Sequence, residues 1–289
     1  MEDLSGGFGG EQSLSATQMQ NALAALATRQ ASAPIAFDPS APMTVVRFDA
    51  LLVDQLGLGE AAGVVQNQAE QAGLHPPSYF GSEVLARYLD LRYMQPTRYE
   101  AFEPYPTDLI TRAEAAHSFA AILGFSEWQL EQARETFASF ALPRYNSAQR
   151  RVLSLAISKI GMPYIWGGTT DDTSDGLSHG GYDCSGFAWR VYKLSDFPWG
   201  RKINGRTAAQ QAGEIPKRAR LRLSQVNGGD LLFFGTAHFN SPAKESNVIH
   251  EGIALSDEWA IHSSDQGVYV LPLSTGWLHE SFTWARRVL

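Results

Sequence analysis

The sequence predicts an α+β protein: a mainly helical first half, then a domain in which a helix packs against an antiparallel sheet. Three observations predict it. Apolar residues recur at helical spacing in the first half, as Val84, Leu85, Tyr88 and Leu91 do. Short β-type runs then follow one another at 230–234, 248–255, 259–263, 268–273 and 282–288. Six of the seven tryptophans lie beyond residue 160, which marks a change of composition between the halves.

At 289 residues the chain has room for two domains. Its apolar and charged fractions, 44% and 18%, are those of an ordinary globular protein. A net charge of -7 and the lack of a basic stripe argue against nucleic acid as a partner. The basic run at 217–222 is short and reads as solvated surface. A single cysteine excludes an intrachain disulfide. No apolar run approaches the roughly 20 residues of a membrane span. The first residues lack the basic and apolar regions of a secretory signal as written.

Residues 1–34 read as a flexible Gly/Ser-rich lead followed by a short helix from Ser15 to Gln30. In 35–143 a repeat appears. Thr44 to Thr111 and Gly57 to Gly124 are the same 67-residue step. Each threonine stands where an N-cap belongs, and Glu114 completes a capping box with Thr111. Another helix is expected from Gly81 to Met94. An amphipathic helix from Asn146 to Ile160, with Val152, Leu155, Ala156 and Ile160 on one face, opens the third segment, 144–289.

The chemistry concentrates in that third segment. Phe187, Val191 and Leu194 follow Cys184 at positions of one helix face, so Cys184 sits at a helix N-terminus. Unpaired backbone N–H groups there favour an anion, so the thiol is expected to have a lowered pKa and to act as a nucleophile. The same groups could help hold an oxyanion. His250 and His262 lie in two β-type runs joined at Ser256-Asp257-Glu258. A hairpin centred on Ser256 sets them directly opposite one another, so that one touches the thiol and the other orients it. Each histidine alone also fits a structural role. Zinc is not favoured, because no paired Cys or His ligand spacing is present.

In family order, the chain carries Pro163-Tyr-Ile-Trp-Gly-Gly168, Asp183-Cys-Ser-Gly-Phe187, Gly205-Arg-Thr-Ala-Ala-Gln210, Gly229-Asp-Leu-Leu-Phe-Phe234, His250-Glu-Gly-Ile253 and Ile261-His262. Together they resemble the NlpC-type, papain-like cysteine peptidases of the bacterial cell wall. The resemblance implies a papain-like α+β domain that needs no cofactor or metal. It implies Cys184 as nucleophile, His250 as base and His262 as the polar third member. Tyr164 is implied near the oxyanion site. Asp183 and Ser185 flank the nucleophile where some relatives bind a free amine; Asp183 also reads as a helix-dipole charge. The implied substrate is the peptide stem of peptidoglycan, at the γ-D-glutamyl–diamino acid bond, with an extracellular or wall-associated site of action. An acyltransferase or deamidase on the same scaffold, or a wall-binding protein with a silent site, remains open. Two insertions, 169–182 and 236–247, depart from the pattern and are expected at the cleft rim. The repeat in 35–143 resembles the S-layer homology module, which implies attachment to a cell-wall polymer.

Overall fold

The computed structural model describes residues 9–30, 32–93, 104–171 and 180–289. Their contacts divide them into two compact units. One holds the described residues of 1–65, 79–94 and 104–140, the other those of 66–78 and 141–289.

The first unit is helical. α1 (Ala16–Arg29) begins at Ser15, whose hydroxyl accepts from Gln18 N while the Gln18 side chain accepts from Ser15 N. α2 (Val45–Gln55) and α3 (Gly59–Gln71) follow, the latter running on into the second unit. α4 (Phe80–Tyr88) is shorter than the spacing predicts, because the chain leaves it through Asp90 at φ +58°. α5 (Arg112–Gly124) starts at the expected capping box of Thr111 and Glu114, and α6 (Glu127–Ala138) follows it. Thr44 occupies the N-cap of α2 but makes no side-chain cap bond. The leads into the two repeat helices pair with each other, Thr44 opposite Leu109, with Ile110 N donating to Met43 O at 3.0 Å. Residues 12–14, expected within the flexible lead, instead bond to this segment: Leu14 N donates to Ile110 O and Gln12 O accepts from Arg112 N. Residues 1–8 of that lead lie outside the described residues. Phe48, Leu52, Val84, Leu85 and Phe137 form the fully buried core.

The second unit opens with α7 (Ser147–Ile157), capped by Asn146 and Gln149. A short ladder, β1 (Thr169–Thr170) with β2 (Gly181–Tyr182), closes the base of the first insertion, whose residues 172–179 lie outside the described set. α8 (Cys184–Tyr192) and α9 (Ala208–Gly213) come next. The sheet consists of β3 (Leu231–Gly235), β4 (Val248–Ala254), β5 (Trp259–Ser264), β6 (Gly267–Pro272) and β7 (Phe282–Arg286), with α10 (Gly276–Ser281) before β7. Its order is β6-β5-β4-β3-β7, antiparallel throughout.

Each sequence run of β-type residues thus becomes a strand. The runs are continuously apolar rather than alternating because both faces are covered. Leu232, Phe234, Ala254, Ala260 and Ala285 pack with Leu273 and Leu278 of the α10 side, while α8 packs on β4. Among the described residues no helix is long and apolar enough to cross a membrane.

Candidate active site

Cys184 is the first residue of α8, as its spacing predicts. Asp183 is the N-cap, its Oδ1 accepting from Gly186 N at 2.5 Å. The turn before it is packed by glycine: a Cβ on Gly186 would lie 1.9 Å from Gly168 O. Three bonds tie Asp183 to that turn and to Arg206. Gly167 N donates to Oδ2 at 2.9 Å, and Arg206 reaches both carboxylate oxygens, at 3.0 and 2.9 Å. Arg206 also donates to Ser185 Oγ at 3.0 Å and to Gly168 O at 3.3 Å. The sequence singles out Arg206 only as a motif member; here it clamps the helix start.

The β4–β5 hairpin carries the histidines, with a register that differs from the expected one. Gly252, not His250, stands opposite His262, so the turn centres one residue later. Because the shift is two residues, both imidazoles keep the same face. They meet diagonally, His250 Nε2 lying 2.9 Å from His262 Nδ1, with ring centroids 5.0 Å apart. Tyr269 supports His262 at 4.4 Å between centroids, and Phe234 and Trp277 flank His250. Pairing of β4 with β5 ends at Gly252. Beyond that point the backbone N–H groups of Glu251 and Ser185 favour the Cys184 thiolate, against its burial.

Cys184, His250, Tyr164, Asp183 and Ser185 line one cleft of about 330 Å³, together with Arg206, Thr207, Glu245 and Ile249. His262 stands behind His250, buried. Tyr164 is placed by a bridge to Tyr182 beside the nucleophile's N-cap. Trp166 and Ile249 are exposed on the rim, and the insertion at 236–247 contributes Glu245. The sequence places the 236–247 insertion at the rim without singling out Glu245, and it gives no signal for Trp277. Among the described residues no group of three His, Cys, Asp or Glu side chains is placed to hold a metal.

The electrostatics overturn one expectation. The helix start does not lower the thiol's pKa. Burial pushes Cys184 up to about 12, aided by the neighbouring Asp183 and Glu251 carboxyls and only partly opposed by the two backbone N–H groups. Burial also holds His250 down to about 4 and His262 well below its ordinary value, the latter further disfavoured by a second imidazole beside it. Glu251 is fully buried, and its carboxyl is raised well above the ordinary range by that burial. Burial thus disfavours the charged form of both the Cys184 thiol and the His250 imidazole.

Against known proteins, the NlpC/P60 family model matches residues 161–287. Protein P54 of Enterococcus faecium is 33% identical over 131 residues, 45% of this chain and 21% of that protein. The gamma-D-glutamyl-L-lysine dipeptidyl-peptidase of Bacillus cereus is 31% identical over 133 residues, 45% of this chain and 33% of that enzyme. The solved structure of the NlpC/p60 domain of peptidoglycan hydrolase SagA is 32% identical, covering 50% of this chain and 99% of that one, with a TM-score of 0.33. The chain thus spans between 21% and 33% of the length of these two curated relatives. Over the matched residues, the C-terminal half of this chain is a domain of the NlpC/P60 family.

Proposed function

We propose that the C-terminal domain is a cysteine peptidase that hydrolyses an amide in the peptide stem of bacterial peptidoglycan. One observation carries the reading: Cys184, at the start of α8, shares a cleft with His250, which is itself bonded to His262. With Nε2 of His250 engaged by His262, Nδ1 is the ring nitrogen left for the thiol. Cys184 Sγ attacks the amide carbonyl as its proton passes to His250 Nδ1. The tetrahedral oxyanion takes hydrogen bonds near the helix N-terminus and Tyr164. Collapse breaks the C–N bond, and the leaving amine takes the proton from His250. Water, deprotonated by the same imidazole, then hydrolyses the thioester and restores the thiol.

The favoured bond is γ-D-glutamyl to the diamino acid, a choice supported by the name of the Bacillus cereus relative. The site of action is the cell wall, outside the membrane. The resemblance of the repeat in 35–143 to the S-layer homology module supports a role in holding a wall polymer, which sedimentation of the full chain with purified wall would read.

The test is digestion of purified peptidoglycan, with mass spectrometry of the released muropeptides. The wild-type protein releases fragments cut at one stem bond, and Cys184→Ala releases none. Equal release by Cys184→Ala overturns the reading. Fragments cut elsewhere in the stem overturn the bond assignment alone.

A further inference from the structure

Among the described residues two carboxylates line the cleft, and they differ in what already holds them. Asp183 is fully engaged: Gly186 N and Arg206 Nη1 bond its Oδ1, and Gly167 N and Arg206 Nη2 bond its Oδ2. Its charge is matched by a guanidinium whose other bonds go to Ser185 Oγ and Gly168 O. An incoming ammonium would have to displace that guanidinium. Glu245 lies on the loop between β3 and β4 and is exposed. It accepts one long bond, from Thr207 Oγ1 at 3.4 Å, and no cation of the described residues lies in ion-pair range. Glu245 and Ala209 also line a second hollow of about 640 Å³ that continues the cleft along α9. A chain that leaves Cys184 on that side passes the Glu245 carboxylate. Lys244, the nearest cation in sequence, lines the second hollow and not the cleft.

We propose that Glu245 is the specificity-determining carboxylate of this cleft. It takes the side-chain ammonium of the diamino residue, and Asp183 takes no substrate amine, so stems with a blocked amino terminus are accepted. This rests on the peptidase reading above. An exposed carboxylate–ammonium pair is worth little, so the expected effect is a modest change in affinity rather than an all-or-none loss.

The test uses the full chain carrying Cys184→Ala and three synthetic stems titrated calorimetrically. These are L-Ala-γ-D-Glu-L-Lys-D-Ala, its N-terminally acetylated form, and that form acetylated also on the lysine side chain. Blocking the lysine amine should weaken binding about three- to fivefold, while blocking the terminus changes it less than about twofold. Adding Glu245→Gln should remove the lysine dependence. A lysine dependence that survives Glu245→Gln, a strict need for the free terminus, or no binding by any stem overturns the proposal. Binding is read without turnover. The expected pattern combined with no cleavage by the wild-type protein would therefore overturn the peptidase reading and leave this one standing.

Discussion

His250 Nε2 lies 2.9 Å from His262 Nδ1, and the two rings are nearly perpendicular, at 87°. For His250 to accept a proton at Nδ1, its own proton must sit on Nε2 and be donated to His262 Nδ1. His262 is then protonated on Nε2, an atom with no hydrogen-bond partner among the described residues. The third member thus selects a tautomer rather than supplying charge, since burial keeps it neutral. Removing the base, as in His250→Ala, should lower kcat by about 10²–10⁴-fold. His262→Ala should cost about 10–100-fold, the usual loss when a group that orients an imidazole is removed. His262→Gln should recover part of that, because an amide oxygen can still accept from Nε2–H. Kinetics on wall fragments check this. A change confined to KM would contradict an orienting role.

The two shifts at the site set the pH dependence. His250 is held down to about 4, so its lone pair is available through the neutral range and lost as pH falls through about 4. Cys184, pushed up to about 12, stays a thiol until strongly alkaline pH. The expected profile of kcat/KM has its acid limb near pH 4, not near the ordinary imidazole value. Alkylation of Cys184 by iodoacetamide should be slow at neutral pH and accelerate in base. A fast neutral alkylation would show a thiolate already formed. Stability runs the same way. The unfolded chain takes up protons on these histidines below about 6.5, and the folded chain does not until lower pH, so stability falls as pH drops below about 6.5. Circular dichroism across the acid limb separates unfolding from loss of the base.

What the sequence made legible, and what it hid, follows from how local each feature is. Cys184 at a helix start was readable because Asp183 caps and Phe187 and Val191 repeat at helical spacing, all within one turn or two. The histidines' shared face was readable because it depends only on parity; their register was not, since Leu255 N and Ser256 N both bond Trp259 O and so move the hairpin centre. The thiol's pKa was misjudged because helix-dipole stabilisation is local, whereas the desolvation that outweighs it comes from a sheet assembled later in the chain. Arg206 stands 23 residues after Asp183, and nothing in the spacing tells which carboxylate it will clamp.

Gly186 offers a test of why the nucleophile's helix begins as it does. A Cβ there would meet Gly168 O at 1.9 Å and Asp183 Oδ1 at 2.8 Å, both parts of the turn that presents Cys184. Neither is the free end of a flexible side chain. Gly186→Ala must therefore push α8 off the Gly168 strand-turn or break the cap. The expected cost is about 1–3 kcal/mol from overpacking, with loss of activity out of proportion to the loss of stability. Chemical denaturation and wall digestion on the same sample read the two effects. An active, fully stable Gly186→Ala protein would mean that the approach of α8 to Gly168 is not this close.

A last prediction concerns the helical unit, where several charged side chains are buried together. Asp49 of α2 is completely buried, 3.7 Å from Arg92 Nη1, while Arg92 Nη2 bonds Glu114 at 3.0 Å and Arg87 bonds Glu83 at 2.6 Å. Among the described residues three carboxyls thus share two guanidiniums, and the excess is relieved if one carboxyl is neutral. Burial raises Asp49 to about 8, from 3.8 when exposed. The sign follows directly. The unfolded chain loses this proton near 3.8 and the folded chain near 8, so the unfolded state binds fewer protons between them and stability declines as pH rises through that window. Asp49→Asn keeps the shape of the neutral acid and cannot ionise. Its melting temperature should match the wild type near about pH 4 and exceed it progressively toward about pH 9, by about 5 °C or more. Buried acids that do not interact with Asp49 cancel in the difference. A gain that does not depend on pH, or a loss that grows toward alkaline pH, would show that Asp49 is ionised in the fold and held by Arg92.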